Sequence, residues 1–548
     1  MSLFRSGSVV AAMTLLSRVL GFVRDQTLAI TFGAGAAMDV FLVAFKIPNF
    51  LRRLFGEGAF AQAFVPVFTE YRETRSPAAL KDLAAHVSGT FAVILLVITT
   101  LGVACAPLLT WLFAPGFADE PERYELAVRM LRITFPYLLF VSLVAYAGSI
   151  LNAFGRFALP SFAPVLLNVS MIGAALLVAP RFDPPIVALA WGVFVAGILQ
   201  LALQVPALAR LGLLPRPRWG WRHPGVRRVM KLMIPALFGS SVAQINLLLD
   251  TILASFLVAG SLSWLYYADR LMEFPLGLLG VTLGTVILPR LAREHARRGA
   301  ADGGDDAGTI GSVDLVGPIL PDDSPEDASR NVPRDGFRAT LDWALALVVL
   351  TGLPAALALA LLATPMLATL FGYGAFTAED TASTGIALVA YAAGLPAFLL
   401  VKVFAPAFYA RQDTRTPVRI GIVALVANMG LNLAIVLPML ALDVPAPHAG
   451  LAAASSLSGW LQAGLLYRRL GADGIYRAGP GVGRALVRAV PALGAFAVIA
   501  IAGADIDWHA LEAGSRVARL VAILAAAGLA YASALFLTGL RPRELASP

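Results

Sequence analysis

The sequence is poor in charged residues and in cysteine. Of its 548 residues, 14% are charged and 58% are hydrophobic, whereas a soluble globular chain carries about 25% charged residues. The single cysteine, Cys105, excludes an internal disulfide framework and a cysteine-based metal cluster. This composition places the chain among membrane proteins.

Motifs for nucleotide or metal chemistry are also missing. The sequence contains no phosphate-binding G-x-x-x-x-G-K-[ST] loop, no H-E-x-x-H zinc motif and no dinucleotide-binding G-x-G-x-x-G after a strand. Five histidines are scattered along the chain: His86, His223, His295, His448 and His509. We therefore expect a protein that is not an enzyme and holds no cofactor. Its energy source would be an ion gradient, such as sodium, or the membrane potential.

Long apolar runs dominate the chain instead. Each is long enough to cross a hydrocarbon core about 30 Å thick as a helix, and none alternates as a barrel strand would. The predicted spans are 9–31, 36–56, 87–114, 128–152, 158–179, 185–209, 230–258, 262–289, 338–364, 383–410, 417–440, 447–467, 484–504 and 517–540. The sequence therefore predicts an all-α polytopic membrane protein with about fourteen transmembrane helices.

Basic residues concentrate in every second loop. Arg72 and Arg75 follow the second span and Arg216 and Arg218 follow the sixth, whereas an alternate loop carries Asp119. Short cytoplasmic loops are rich in Lys and Arg, so we expect both termini to be cytoplasmic. The net charge of +8 is then an orientation signal, and we expect no nucleic-acid partner.

One stretch breaks this pattern. Residues 299–336 are rich in Gly, Asp, Pro and Ser and lack helical periodicity. We predict a disordered acidic cytoplasmic loop. A tolerated insertion explains it better than a regulatory docking site.

The sequence contains an internal repeat. A shift of 224 residues aligns Lys46 with Arg270 and Phe50 with Phe274. We predict two pseudo-symmetric six-helix lobes plus two extra C-terminal helices, divided as an N-lobe at 1–215, a C-lobe at 216–470 and a helix pair at 471–548. Two repeats around a shared central site are typical of alternating-access transporters.

Ionisable residues lie inside several spans, where a charge costs about 2.5–3.5 kcal/mol on insertion scales. Asp39 and Lys46 lie seven residues apart in the second span, and Ser263 and Arg270 occupy the matching positions of the eighth. Residues seven apart share a helical face. We predict that these faces line a water-filled, cationic cavity suited to an anionic substrate such as a pyrophosphate.

The predicted substrate-binding cavity has thirteen members. They are Ser17, Arg18, Arg24, Asp25, Asp39, Lys46, Asn49, Arg52, Arg53, Ser263, Asp269, Arg270 and Glu273. For Arg53 an equally good interpretation is that its charge extends to the lipid headgroups. Purely structural salt bridges are the alternative for the deeper residues Arg18, Asp39 and Arg270.

A second polar cluster combines Asp250 in the seventh span with Asn428 and Asn432 in the eleventh. Oxygen ligands of this kind suit a hard cation, and we predict a sodium-coupling site here. Asparagines that join helices by hydrogen bonds are an equally good explanation.

Three segments carry a family resemblance. "SRVLGFVRD", "DVFLVAFKIPNFLRRLFGEGAFAQAFVPVFTEY" and "WLYYADRLMEFPLGLLG" resemble the signatures of the MurJ (MviN) lipid II flippases, within the multidrug/oligosaccharidyl-lipid/polysaccharide exporter superfamily. The resemblance extends over essentially the whole chain. The family's cavity residues carry over onto Ser17, Arg18, Arg24, Asp39, Asn49, Ser263, Arg270 and Glu273.

The resemblance implies transport of lipid II, the undecaprenyl-pyrophosphate-linked peptidoglycan precursor, across the bacterial inner membrane. It implies that the two C-terminal helices form a groove for the lipid tail, and it favours sodium between the seventh and eleventh helices. Partners would be lipid II, the bilayer and cell-wall synthesis enzymes. Alternatives are a flippase for another polyprenyl-linked glycan, an ion-coupled small-molecule antiporter and a membrane-embedded transferase.

Overall fold

The computed structural model describes residues 3–53, 60–214, 216–301 and 336–541, and every regular element in these ranges is helical. The first half contains α1 (Leu3–Phe32), α2 (Ala36–Arg52), α3 (Phe60–Thr74), α4 (Pro77–Ala104), α5 (Ala106–Phe113), α6 (Pro121–Thr134), α7 (Tyr137–Ala153), α8 (Ala158–Gly173) and α9 (Val187–Arg210). The second half contains α10 (Pro224–Ser255), α11 (Ser261–Ala301), α12 (Gly336–Leu347), α13 (Leu353–Leu361), α14 (Ala363–Leu370), α15 (Ala378–Ala392), α16 (Leu395–Tyr409), α17 (Arg415–Ala441), α18 (His448–Ala472), α19 (Pro480–Ala504) and α20 (Ala513–Leu537).

These helices overlap all fourteen predicted spans, which confirms the predicted fold class, and residues 54–56 of the second span lie outside the described residues. Among the described residues, ten helical segments are long and apolar enough to cross a membrane by length and composition. The other four predicted spans lie in α2, α10, α11 and α18. Two of these, α2 and α11, carry charged residues of the predicted cavity.

Several spans consist of two helices because the backbone bends within them. The predicted span 128–152 comprises the end of α6 and α7, which meet at Pro136. The span 383–410 comprises α15 and α16, which meet at Gly394 and continue into Pro396. Proline lacks the amide hydrogen that a continuous helix requires, so bends at these positions follow from the sequence.

The helix α3 was not predicted, and α14 lies mostly beyond the predicted span 338–364. The amphipathic α3 lies between the second and third spans and buries Phe60, Phe64 and Phe68 on one face. The rings of Phe60 and Phe64 stack at a centroid distance of 5.2 Å. Its apolar residues recur at intervals of three and four, the pattern of a helix with one buried face.

Packing within each half joins helices that are distant in the chain as well as neighbouring ones. In the first half α1 packs against α8, and α8 and α7 pack against α9; in the second half α11 packs against α15 and α16, and α17 against α18. The pair α19 and α20 packs together, with α19 also against α12 and α13. The division at 1–215, 216–470 and 471–548 stays a prediction, and α10 contacts elements on both sides of the first boundary, namely α3, α4 and α17.

The predicted acidic loop at 299–336 lies almost entirely outside the described residues. Helix α11 continues to Ala301 and α12 begins at Gly336. The prediction for this loop therefore stays a prediction.

The two halves meet closely at the end of the bundle where α1 ends and α2 begins. Gly33 adopts a left-handed backbone with φ of +68°, and a Cβ there would lie 2.4 Å from the carbonyl oxygen of Ala375. A Cβ on Gly116 would lie 2.3 Å from the carbonyl oxygen of Ser255. Only glycine allows backbones to approach this closely. We name this end of the bundle the Asp39 end and the opposite end the Arg53 end.

Candidate functional site

Burial changes systematically along α2 and α11, which carry most of the predicted cavity residues. On α2, residues 38–44 are buried, whereas Asn49 and Arg52 are half-buried and Arg53 is exposed. On α11, residues 261–265 are buried, whereas Glu273 and Phe274 are exposed. The bundle is therefore packed at the Asp39 end and opens into a cavity towards the Arg53 end.

This cavity has a volume of about 630 Å³ and lies between the two halves. Nine of the thirteen predicted residues line it, and they are Ser17, Arg18, Arg24, Asp25, Asn49, Arg52, Arg53, Arg270 and Glu273. The lining also includes Asn168 on α8 and Lys402 on α16, which were not predicted. Lys402 is the only charged residue between positions 381 and 410. Its charge inside a predicted span is the sequence signal that could have identified it as a cavity residue.

The lining carries an excess of positive charge. It contains six cationic side chains, those of Arg18, Arg24, Arg52, Arg53, Arg270 and Lys402, and two acidic ones, those of Asp25 and Glu273. Low-dielectric walls lined by one sign of charge focus the electric field. The cavity is therefore suited to a polyanionic group, and arginines can bind phosphate oxygens in a bidentate way.

The carboxylate of Asp25 joins the two halves at the inner end of the cavity. Its Oδ1 accepts hydrogen bonds from Arg24 Nη2 at 2.7 Å and from the Tyr266 hydroxyl at 2.6 Å. Its Oδ2 lies 3.5 Å from Arg270 Nε. Arg24 is on α1, whereas Tyr266 and Arg270 are on α11, so one buried carboxylate holds cations from both halves.

A second set of hydrogen bonds fixes Arg24 within the first half. Arg24 Nη1 donates to Asn168 Oδ1 at 3.0 Å, and Asn168 Nδ2 donates to the backbone carbonyl of Ser17 at 3.0 Å. These bonds join α8 to α1 and hold the buried guanidinium in one orientation. Asn168 is therefore a positioning residue for the cavity.

Arg270 is held on its own helix as well. Its Nη1 donates to Glu273 Oε2 at 2.7 Å, and its guanidinium lies over the Tyr266 ring at 4.9 Å. A cation above an aromatic face is stabilised by the ring quadrupole. Both arginines that contact Asp25 are thus oriented before any ligand binds.

The predicted residues Asp39 and Ser263 lie at the packed end and not in the cavity lining. Asp39 Oδ1 accepts from the backbone amide of Ser263 at 2.8 Å and from its hydroxyl at 2.6 Å. Asp39 Oδ2 accepts from the Gly260 amide at 2.7 Å and from Arg123 Nη2 at 3.0 Å. This buried network connects α2 and α6 of the first half to the start of α11 in the second.

The Asp39–Ser263 contact joins the two positions that the 224-residue shift aligns. Residues related by a two-fold axis touch each other only when both lie next to that axis. The contact is therefore what an internal repeat would produce at its axis, and it lies at the closed end of the cavity.

Lys46 and Asp269 also lie outside the cavity lining. Lys46 Nζ is 3.3 Å from Thr251 Oγ1 on α10, and both Lys46 and Asp269 are half-buried. Their positions lie towards the packing between α2, α10 and α11. Residue spacing in the sequence could not distinguish the helix faces that carry Lys46 and Asp269 from those that carry the cavity-lining Asn49 and Arg270.

The predicted sodium ligands are adjacent to one another. Asn432 Nδ2 donates to Asp250 Oδ1 at 2.8 Å and to Asn428 Oδ1 at 3.1 Å. The Oδ1 atom of Asn432 is buried and has no hydrogen-bond partner among the described residues. A buried acceptor without a donor fits the donor set of a hard cation.

A separate Asp–His cluster lies outside the cavity, where α4 approaches the start of α10. His223 Nε2 is 3.3 Å from Asp82 Oδ2, and the rings of His86 and His223 stack at 4.9 Å. His223 Nδ1 accepts from the Gly225 amide at 3.1 Å and so caps α10. Burial, together with the nearby His86, lowers the pKa of His223. Neutral His223 then carries its proton on the nitrogen that faces Asp82, which suits a helix cap better than a metal ligand.

Comparison with known proteins identifies the family of this chain. The family model of the lipid II flippase MurJ matches residues 28–522. The chain belongs to the MurJ lipid II flippase family. A protein named probable lipid II flippase MurJ from Haemophilus influenzae is 46% identical over 544 residues, which cover 97% of this chain and 99% of the relative. The resemblance seen in the sequence motifs is confirmed.

Solved structures share the fold. A lipid II flippase MurJ in an inward closed conformation matches with a TM-score of 0.74 and 24% identity, over 97% of this chain and 99% of that one. An inward-facing multidrug-resistance MATE transporter of the MOP superfamily matches with a TM-score of 0.61 and 13% identity, over 85% of this chain and 98% of that one. The MurJ-family chain therefore has the architecture shared with this transporter superfamily.

The Asp39 network predicts a specific stability effect. Arg123→Met leaves the buried Asp39 carboxylate without its cationic partner, and breaking a buried ion pair costs about 3–5 kcal/mol. We expect a large decrease in the unfolding temperature of the purified protein in detergent. Adding Asp39→Asn to this variant should recover part of the loss, because the buried charge is then removed.

Arg129→Met is the matched control, because Arg129 is exposed on the same helix. It should unfold close to the wild-type temperature. Equal unfolding temperatures for Arg123→Met and Arg129→Met would show that the Asp39–Arg123 pair does not stabilise the closed end.

Proposed function

We propose that this protein is a lipid II flippase, which moves the undecaprenyl-pyrophosphate-linked peptidoglycan precursor from the cytoplasmic to the periplasmic leaflet of the bacterial inner membrane. The observation that carries the proposal is the cationic cavity between the two halves, with six cations and two acids in its lining. Family membership supports the substrate class. Both termini are cytoplasmic in this proposal, so the cavity faces the cytoplasm.

In this proposal the cavity residues bind the headgroup through its charge. Arg24 and Arg270 are held by Asp25 with their guanidinium groups oriented, and Arg18, Arg52 and Arg53 add positive charge towards the opening. Guanidinium groups held in place lose little side-chain entropy when they bind phosphate oxygens. A pyrophosphate competes with the Asp25 carboxylate for the same two arginines.

Competition of this kind can change the conformation. A ligand shifts an equilibrium only when it binds one state better than the other. A headgroup that takes over Arg24 and Arg270 weakens their link through Asp25, while the Asp39 network holds the opposite end closed. Alternating access then requires the Asp39 network to open and the Arg53 end to close.

The lipid tail stays outside the cavity in this proposal. The C-terminal helices present large exposed apolar side chains, among them Val487 and Val498 on α19 and Leu529 and Phe536 on α20. Such a surface is compatible with acyl or polyprenyl chains. The polar headgroup would pass through the cavity while the tail remains in this apolar environment.

The competing functions make different demands on the cavity. A small-molecule cation antiporter needs acidic groups in excess, whereas this lining is predominantly cationic. A flippase for another polyprenyl-linked glycan would need the same cationic cavity. Only its specificity for the sugar would distinguish it from a lipid II flippase. Absence of enzyme activity and contact with cell-wall synthesis enzymes stay predictions.

Lipid II accessibility in cells tests the proposed function. Bacteria depleted of their own lipid II flippase should regain periplasmic lipid II when they express this chain. The variants Arg18→Ala and Arg270→Ala should fail to restore it, because each removes a cation from the cavity lining. Arg469→Ala, which alters an exposed residue near the end of α18, should restore it as the wild type does.

Restoration of cell-wall synthesis by the wild type is the deciding result. Failure to restore it, in cells that accumulate the protein in the membrane, would contradict the lipid II assignment and favour another polyprenyl-linked glycan. Normal periplasmic lipid II with well-expressed Arg18→Ala and Arg270→Ala would contradict the role of the cavity.

We further propose that sodium binds at Asp250, Asn428 and Asn432 and couples transport to an ion gradient. The buried Oδ1 of Asn432 and the neighbouring Asp250 carboxylate support this proposal. Bound sodium would add positive charge between α10 and α17. The membrane potential is the alternative energy source.

Thermal unfolding tests the sodium proposal. A ligand that binds only the folded state stabilises it by mass action, so the unfolding temperature should be higher in sodium chloride than in potassium chloride at equal ionic strength. Asp250→Asn should abolish this difference. A difference that persists in Asp250→Asn, or is absent in the wild type, would contradict the site.

A further inference from the structure

Lys402 lines the cavity from α16. It is the only charged residue between positions 381 and 410, and its side chain is exposed to the cavity rather than buried in packing. An ionisable residue inside a membrane span is costly and usually serves function. The charge of Lys402 therefore needs an explanation beyond the Asp25 and Asp39 networks, in neither of which it takes part.

Two glycines on α11 make room for Lys402 and for Arg18. A Cβ on Gly280 would lie 2.6 Å from Lys402 Cδ and 3.0 Å from its Cε. A Cβ on Gly277 would lie 3.2 Å from Arg18 Nη1. Gly277 and Gly280 are three residues apart, so they lie on one helical face about a turn apart.

One cation from each half therefore rests on the same face of α11. Arg18 comes from α1 in the first half, and Lys402 comes from α16 in the second. Their positions on successive turns hold two like charges near each other. Like charges repel each other, and an anion bound between them would offset this repulsion.

Neither cation has a protein counter-ion among the described residues. No hydrogen bond or ion pair of Arg18 or Lys402 occurs there, whereas Arg24 pairs with Asp25 and Arg270 with Glu273. The two arginines at the inner end are thus already neutralised in part. Arg18 and Lys402 therefore offer a ligand positive charge that no carboxylate among the described residues offsets.

We propose that Lys402 is a substrate ligand, which binds the pyrophosphate of the lipid-linked substrate from the second half while Arg18 binds it from the first. This inference rests on the proposed flippase function and adds a residue to it. Gly280 serves the site by admitting the lysine side chain. A pyrophosphate held by both residues connects the two halves through the substrate.

Binding of undecaprenyl pyrophosphate to the purified full-length protein in detergent tests this inference. A hydrogen bond to a charged group contributes enough that its loss weakens binding about tenfold or more. We expect that loss in Lys402→Met and near wild-type affinity in Lys402→Arg. Undecaprenyl phosphate, with one phosphate fewer, should lose less affinity in Lys402→Met than the pyrophosphate does.

Gly280→Ala provides a second variant that leaves every charge in place. Its added methyl group displaces the lysine side chain, so we expect a decrease in affinity in the same direction. Gly430→Ala is its matched control, because a Cβ on Gly430 meets nothing within 4 Å. Lys231→Met removes an exposed lysine on α10 and controls for the general loss of positive charge.

The outcomes separate this inference from the proposed function. Wild-type binding together with unchanged affinity in Lys402→Met overturns the role of Lys402 and leaves the flippase proposal standing. No binding of undecaprenyl pyrophosphate to the wild type contradicts both. If Lys402→Met is not recovered folded, Gly280→Ala decides, and wild-type affinity in that variant overturns the inference.

Discussion

The buried Asp25 carboxylate is the interaction on which the cavity depends. It accepts hydrogen bonds from Arg24 on α1 and Tyr266 on α11 and lies beside Arg270. Charged groups in a buried position are costly unless each is paired and hydrogen-bonded. Asp25 meets this requirement for both arginines at once, so it sets their orientation and the distance between the halves at the inner end of the cavity.

The two ends of the bundle differ because aligned positions of the two halves carry different charged residues. Position 39 is aspartate, and the aligned position 263 is serine, so the two residues form a hydrogen bond where two aspartates would repel each other. Asp39 also holds Arg123 and the Gly260 amide. The closed end therefore uses one carboxylate on α2 to satisfy donors from α6, α11 and the loop before α11, while the cations of Arg18 and Lys402 face the open cavity.

The sequence predicted the all-α, multi-span fold, because each span is a long apolar run. It also predicted nine of the residues that line the cavity, because charges inside spans are rare. It did not distinguish Lys46 and Asp269 from the cavity-lining face, since helical spacing defines a face but not the neighbour that this face meets. Asn168 was missed because one uncharged amide in an apolar span has many structural uses. The amphipathic α3 was missed because a search for long apolar runs passes over a short helix with one polar face.

The Asp25 carboxylate holds the halves in the conformation with the cavity open at the Arg53 end. Spin labels at the exposed positions 75 and 411, one in each half near that end, would report it in a Cys105→Ser background by pulsed electron spin resonance. We expect Asp25→Asn to shift the label-to-label distances towards shorter values, because the open state loses the link that stabilises it. An unchanged distance distribution in a folded Asp25→Asn protein would contradict the claim.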